Sequence, residues 1–88
     1  MKVKDVATIK EIINDIIVEV VGGSMTHDDI SPEMTLVGDG GVDSMKLLEI
    51  ALTIAAEFDI DVPKEEVMNL KTMQDVYTFV ASKKGLVL

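Results

Sequence analysis

One serine, Ser44, stands between Asp43 and Met45 in the stretch GGVDSMKLLEI, where two glycines precede a run of apolar residues. A serine hydroxyl acts as a nucleophile only when a base, most often histidine, lies within hydrogen-bond reach. His27 is the only histidine of the chain, and its acidic setting HDD is typical of a solvated loop residue. The G-x-S-x-G pattern of hydrolases is also missing around Ser44. Hydrolysis by this chain alone is therefore not expected.

Asp39, Gly41 and Asp43 have the alternating spacing of a calcium-binding loop. An EF-hand loop that begins at Asp39 needs an oxygen ligand at its third position and a glutamate at its twelfth. Those positions hold Gly41 and Ile50, so the calcium interpretation fails. The chain has no cysteine, which excludes a disulfide, a thiolate metal site and a cysteine nucleophile. Because Asp43 is itself a good helix cap, Ser44 is left as a hydroxyl that another enzyme modifies.

The composition describes one small acidic domain, residues 1–88, whose 48% hydrophobic residues suffice for a core. Sixteen acidic residues against eight basic ones give a net charge of -8, which repels nucleic acid and anionic membranes and favours basic partners. No apolar stretch approaches the roughly 20 residues of a membrane span, and no secretory signal is visible. The lack of cysteine suits a reducing compartment. We therefore expect a cytoplasmic monomer that does not bind nucleic acid or insert into membranes.

Apolar residues at spacings of three and four predict a first helix over residues 4–21, which Gly22 and Gly23 end. Its apolar positions are Val6, Ile9, Ile13, Ile16 and Val20. A connection over residues 23–43 follows. A structureless loop of about 20 residues is unusual in a compact domain, so we expect apolar side chains to hold it against the helices. These side chains are Ile30, Met34, Leu36 and Val37.

Three further helices are predicted. The second runs from Ser44 to Phe58 with Asp43 as its N-cap. Pro63 opens a short third helix, and a capping box of Thr72 and Asp75 opens the fourth. The apolar residues of the third helix are Val67, Met68 and Leu70. The expected fold is all-α, with three longer helices, one short helix and a long loop between the first and second.

The second helix has more apolar surface than one buried face requires. Its core stripe contains Leu47, Ile50, Ala51, Ile54 and Phe58. A polar stripe nearly opposite contains Lys46, Glu49, Thr53 and Glu57. The stripe between them contains Met45, Leu48, Leu52, Ala55 and Ala56. A helix with two neighbours buries such a stripe, whereas a docking surface exposes it. We expect Met45 and Leu52 to be exposed for docking, and both possibilities stay open for Leu48 and Ala55.

The segment GGVDSMKLLEIALTIAAEFDIDVPKEEV resembles the prosthetic-group region of acyl carrier proteins. That family has a glycine, a hydrophobic residue and Asp-Ser-Leu or Asp-Ser-Met at a helix start, followed by Phe-Asp and Ile/Val-Pro. The matching residues are Gly41, Val42, Asp43, Ser44, Met45, Phe58, Asp59, Val62 and Pro63. Residues 30–36 match the ITxDxxL-like element of the preceding loop more loosely. The resemblance covers nearly the whole chain and implies a four-helix acyl-carrier-like bundle.

The resemblance also implies a function. Ser44 would carry a 4′-phosphopantetheine arm, installed by a phosphopantetheinyl transferase, whose thiol holds an acyl or aminoacyl group as a thioester. The partners would be acyl- or aminoacyl-loading ligases and acyl-transferring enzymes with basic docking surfaces. The docking residues would be Asp43, Met45, Leu48, Glu49 and Leu52. The chain would then be a carrier and not an enzyme. We expect a groove for the acyl chain lined by Leu47, Ile54 and Met68.

Some positions depart from the pattern of fatty-acid carriers. Lys46, Ala55 and Ala56 stand where those carriers usually have acids. Asp-Ser-Met is similar to the carriers that bring D-alanine to cell-wall polymers, and the double glycine is similar to peptidyl carriers of nonribosomal synthesis. We therefore expect a specialised, free-standing carrier in a dedicated pathway. The alternatives are an aminoacyl or peptidyl carrier and an unmodified acidic interaction module.

Overall fold

The computed structural model describes residues 5–38 and 41–86, so Asp39 of the calcium hypothesis and the predicted helix start at residue 4 lie outside the described residues. Within those ranges the chain forms four α-helices, one 3₁₀ turn and no β-strand, which confirms the all-α prediction. The helices are α1 (Val6–Val21), α2 (Ser44–Phe58), α3 (Lys64–Val67) and α4 (Met73–Lys83). The 3₁₀ turn is His27–Asp29.

Side-chain caps fix where the helices begin. The carboxylate of Asp5 accepts a hydrogen bond of 2.8 Å from the backbone N–H of Thr8 and so caps α1. This bond holds the pKa of Asp5 below its usual value. Thr72 and Asp75 form the predicted capping box at α4, where each side chain accepts from the other residue's backbone N–H. The start of α4 is therefore set by local side-chain chemistry.

A second capping box, which the sequence analysis missed, lies in the long loop. The carboxylate of Asp29 accepts from the backbone N–H of Thr26 at 2.8 Å and fixes the 3₁₀ turn. Its sequence signal is the Thr-x-x-Asp spacing, which also correctly predicted the start of α4. His27 in this turn is exposed, as expected of a loop residue, but its Nε2 also lies 2.6 Å from Oδ1 of Asp15. The turn is therefore tied to α1.

The core lies between α1, α2 and α4. Each of these helices contributes apolar side chains from one face, with the spacing that the sequence predicts. The largest fully buried side chains are Ile9, Ile13, Ile17, Leu36, Ile50, Ile54, Phe58, Met73, Val76 and Val80. Burying a side chain of this size contributes about 1.5–3 kcal/mol. The core thus holds α2 firmly on one side and leaves its other side free.

The long loop is held by side chains and by its backbone. Met34 and Leu36 are buried as predicted, and Ile30 packs against the core. The prediction for Val37 is wrong, because its side chain is 57% exposed. Adjacent residues of an extended segment point to opposite sides, so burial of Leu36 turns Val37 outward. Val42, which the sequence analysis did not place in the core, is buried instead.

Three backbone hydrogen bonds join the loop to the end of the connection between α3 and α4 and to the first residues of α4. Their donors and acceptors are Leu36 N–H to Lys71 O at 2.9 Å, Met73 N–H to Met34 O at 3.0 Å and Gln74 N–H to Pro32 O at 2.9 Å. Val67, the last residue of α3, is buried. Met68 and Leu70, which were predicted in the third helix, follow its end, and Leu70 is buried whereas Met68 is exposed. We call residues 32–36 and 71–74 together the loop clasp.

Tyr77 offers a spectroscopic test of the packing between α4 and α1. It is the only tyrosine of a chain that has no tryptophan, and its hydroxyl donates to Asn14 Oδ1 at 2.5 Å. Burial raises the pKa of Tyr77 above its usual value of 10.0. We therefore expect an ultraviolet titration of phenolate formation with a midpoint above 10.0 in the folded protein and lower in concentrated urea.

The sign of the accompanying stability change follows from this direction. A folded-state pKa above the unfolded one gives a contribution that is present below pH 10 and lost as the pH rises through the folded pKa. The thermal midpoint of the protein should therefore fall above pH 10 more steeply than that of Tyr77→Phe. Identical titration midpoints in buffer and in urea would contradict the prediction.

Candidate functional site

Ser44 is the first residue of α2 and its side chain is exposed. The preceding residue, Asp43, has an extended backbone, and its carboxylate accepts from the backbone N–H of Lys46 at 2.9 Å. Asp43 is therefore the N-cap, as predicted. Within residues 5–38 and 41–86, no hydrogen bond engages the Ser44 hydroxyl. The hydroxyl takes no part in capping the helix and is accessible to another protein.

The start of α2 also offers backbone donors. The N–H of Leu47 bonds to the carbonyl oxygen of Asp43 at 2.9 Å, and the N–H of Lys46 bonds to the Asp43 carboxylate. The N–H groups of Ser44 and Met45 have no acceptor in the described part of the chain. Such donors, together with the positive end of the helix dipole, favour an anion. A phosphodiester on the Ser44 oxygen fits this end of the helix.

A depression of about 460 Å³ lies on the exposed side of α2, next to Ser44. Its lining residues, which define the α2 depression, are Asp43, Met45, Lys46, Leu48, Glu49 and Leu52. All five predicted docking residues are thus brought together on one surface. Met45, Leu48 and Leu52 are exposed, so Leu48 is not a core residue, whereas Ala55 is half-buried. The surface thus combines three exposed apolar side chains with the carboxylates of Asp43 and Glu49.

Lys46 changes the charge that this surface presents. Its stem lines the α2 depression, but its ammonium donates to the backbone carbonyl of Val20 at 3.3 Å. Val20 lies in the last turn of α1, where carbonyl oxygens lack helical partners and attract a cation. The ammonium is thus bonded to α1, and Asp43 and Glu49 are the two carboxylates among the residues that line the α2 depression. No local sequence signal indicates this contact, because it joins residues 26 positions apart.

A second cavity, of about 300 Å³, lies between α2, the connection that follows α3 and the long loop. It is lined by Thr35, Val37, Leu47, Met68, Leu70 and Lys71. Leu47 and Met68, which were predicted to line a groove, are among them. Ile54 is not, because its side chain is buried in the core. The exposed Val37 lies at this cavity instead.

Two other kinds of site have no counterpart in the described ranges. No group of three or more carboxylate or histidine side chains in residues 5–38 and 41–86 has the arrangement of a metal site. In the same ranges, every helix is too short or too polar to cross a lipid bilayer.

Comparison with known proteins identifies the family. Residues 7–80 match the family model described as phosphopantetheine attachment site, a region that includes α2 and the residues around it. An acyl carrier protein of Bdellovibrio bacteriovorus is 37% identical over 73 residues, which cover 83% of this chain and 90% of that relative. The chain belongs to the acyl carrier protein family.

Other acyl carrier proteins agree with this assignment. One from Syntrophobacter fumaroxidans is 31% identical over 81 residues, which cover 92% of this chain and 98% of the relative. A solved structure from Mycobacterium tuberculosis, described as an acyl carrier protein, superposes with a TM-score of 0.76 at 35% identity. That match covers 84% of this chain and 96% of the other. The predicted family and its four-helix fold are confirmed.

The function of the chain follows from its membership of the acyl carrier protein family. Its prosthetic group is 4′-phosphopantetheine, which supplies a terminal thiol that holds an acyl group as a thioester. The chain is therefore a carrier and not an enzyme. Its partners are a phosphopantetheinyl transferase and enzymes that handle acyl groups. An unmodified interaction module is not the favoured interpretation.

Proposed function

We propose that Ser44 is the residue that carries the 4′-phosphopantetheine arm of this acyl carrier protein. The observation that carries the proposal is an exposed hydroxyl at the first residue of α2, which the Asp43 cap leaves unused. The other three serines are exposed but less suitable. Ser24 and Ser31 lie in the long loop, and Ser82 lies in the last turn of α4, where the helix dipole opposes a phosphate.

The position at the start of α2 serves a carrier in two ways. The N–H groups of Ser44 and Met45 stabilise the negative charge of a phosphodiester at that point. A flexible tether fixed to a rigid helix end raises the effective concentration of its cargo at a docked enzyme. The core holds α2 in place through the buried Ile50 and Ile54, and the Asp43 cap fixes its first turn.

The test is transfer of the arm from coenzyme A by a broad-specificity phosphopantetheinyl transferase, followed by intact-mass measurement. We expect a gain of one phosphopantetheine. Trypsin then releases a peptide of residues 11–46, which contains Ser24, Ser31 and Ser44. Fragmentation of that peptide should place the added mass on Ser44. Placement on either other serine would overturn the proposal.

We further propose that the α2 depression is the docking surface for the transferase, for acyl- or aminoacyl-loading ligases and for acyl-transferring enzymes. Exposed Met45, Leu48 and Leu52 supply apolar contact, and Asp43 and Glu49 meet basic residues of the partner. Electrostatic docking of this kind favours fast and reversible encounters, which a carrier needs in order to visit several enzymes. We propose that it acts as a monomer in the cytoplasm, where coenzyme A is available.

Two substitutions of Asp43 separate docking from capping. Asparagine caps a helix as well as aspartate does but has no charge, whereas alanine loses both properties. We expect Asp43→Asn to keep the stability of the protein and to raise the transferase KM several-fold, with a weaker salt dependence. Asp43→Ala should in addition lose about 1 kcal/mol of stability in urea unfolding. A wild-type KM and salt dependence for Asp43→Asn would contradict the proposed role.

A dedicated pathway is the third part of the proposal. Lys46, Ala55 and Ala56 hold no acid where fatty-acid carriers usually have one, so the negative charge of the α2 depression comes from Asp43 and Glu49. A partner that requires acids along the whole of α2 would bind this surface poorly, whereas a partner matched to its first turns would bind it well.

Acyl cargo is favoured by the second cavity, whose apolar side chains lie beside α2. We expect the change from the holo to an acylated form to shift the methyl resonances of Leu47 and Met68, while those of Val20, outside the lining, stay in place. Unchanged resonances at Leu47 and Met68 would remove this cavity from the proposal and leave the cargo exposed on the arm.

A further inference from the structure

The methionines of the described residues fall into two groups by exposure. Met34 and Met73 are 8% and 0% exposed, and Met25 packs against the core. Met45 and Met68 are 76% and 71% exposed. A thioether that solvent reaches is oxidised to the sulfoxide, and burial protects it from the oxidant. The exposed pair should therefore react first.

The two exposed methionines occupy different surfaces. Met45 lies in the α2 depression with Leu48 and Leu52, directly after Ser44. Met68 lines the second cavity and is absent from the α2 depression. Oxidation at Met45 changes the proposed docking surface, whereas oxidation at Met68 leaves that surface intact. Met68 is therefore an internal control: it is an exposed methionine whose oxidation does not alter the α2 depression.

We propose that Met45 is a reversible redox modification site, at which oxidation to methionine sulfoxide weakens partner docking at the α2 depression. A hydroperoxide is the oxidant. The sulfur of Met45 attacks one peroxide oxygen, the O–O bond breaks, an S–O bond forms, and the peroxide is reduced to water or an alcohol. Reduction by a methionine sulfoxide reductase with two thiols returns the thioether and yields water and a disulfide. The inference rests on the proposed docking function of the α2 depression.

The physical reason is the change of polarity at the middle of an apolar contact. The thioether is flexible and apolar, which suits contact with several partners. The sulfoxide oxygen is a strong acceptor that loses its water when a partner covers Met45, Leu48 and Leu52, and this desolvation opposes binding. The added oxygen also carries partial negative charge and lies in a depression that the carboxylates of Asp43 and Glu49 line.

The first experiment maps the reaction. The apo protein, as produced without the arm, is treated with hydrogen peroxide, quenched with free methionine and digested for peptide mass mapping. We expect sulfoxide at Met45 and Met68 well before it appears at Met34 and Met73. Oxidation of Met34 or Met73 at the same rate as Met45 would overturn the proposal.

The second experiment measures docking through the transferase, with fresh enzyme and coenzyme A added after the quench. We expect peroxide treatment to raise the KM for the carrier about tenfold, as one unsatisfied polar group in a contact would, and reductase treatment to restore it. Each variant is compared with its own untreated sample. Met68→Leu should show the same loss as the natural chain, whereas Met45→Leu, a swap of similar volume, should show none.

The outcomes distinguish this inference from the proposed function. If the untreated protein gains no phosphopantetheine, the assignment of Ser44 fails. If the untreated protein is modified and selective Met45 sulfoxide leaves the KM unchanged, only the redox inference fails. A loss of activity in treated Met45→Leu equal to that of the natural chain would also overturn it, and circular dichroism excludes unfolding as the cause.

Discussion

Replacing Ser44 by alanine should abolish the gain of phosphopantetheine in the transferase assay while leaving the fold intact. The substitution removes the one oxygen to which the proposed phosphodiester is bonded, and no other side chain at the start of α2 offers a hydroxyl. The N-cap is unaffected, because the Asp43 carboxylate and not Ser44 bonds to the N–H of Lys46. Intact mass should therefore stay at the apo value, with an unchanged urea unfolding curve.

Ser24→Ala is the matched control, since Ser24 is exposed and belongs to the long loop. It should gain one phosphopantetheine at the same rate as the natural chain. Residual modification of Ser44→Ala would show that another residue accepts the arm. Loss of modification in Ser24→Ala with a folded protein would show that the loop, and not α2 alone, is read by the transferase.

The second large effect concerns stability. Leu36 is fully buried although it lies in the long loop, and its N–H is bonded within the loop clasp. Truncation of a buried leucine to alanine costs about 2–5 kcal/mol, depending on how far the cavity collapses. Because a whole domain is stable by only about 5–15 kcal/mol, Leu36→Ala should lower the urea midpoint substantially. Far-ultraviolet circular dichroism of the four helices is the readout.

Val37→Ala is the matched control one residue away. Its side chain is 57% exposed, so the same kind of truncation should change stability by less than about 0.5 kcal/mol. Equal losses for the two variants would mean that the loop packs differently from the arrangement described here. A small effect of Leu36→Ala would show that the backbone bonds of the loop clasp hold the loop without the side chain.

The sequence predicts the start of α2 and the start of α4 well because local rules determine both. Asp43 caps α2, α2 spans Ser44 to Phe58, and Thr72 and Asp75 form a capping box, all as expected from spacing over a few residues. Helical periodicity also separated the buried Ile50 and Ile54 from the exposed stripe. The proposed attachment serine, its cap and the apolar surface beside it all belong to the start and one face of α2, so the sequence of this helix suffices to predict them.

Local rules of this kind do not predict contacts between residues that are far apart in the sequence. The bond from Lys46 to Val20 and the contact of His27 with Asp15 depend on how two elements lie together. The exposure of Val37 follows from backbone bonds to a segment more than 30 residues later, which turn Leu36 inward. Hydrophobicity alone ranks Val37 and Leu36 as equals, and only the tertiary structure separates them.

The loop clasp has a consequence for the order in which the protein folds. Its bonds join residues 32–36 to residues 71–74, so they cannot form until most of the chain has been synthesised. Closing so long a segment costs entropy before any bond is gained, and such distant contacts slow folding. During translation α1 and α2 can be complete while the loop before Ser44 is still unfixed. The loop before Ser44 therefore reaches its final arrangement only after residues 71–74 have been synthesised.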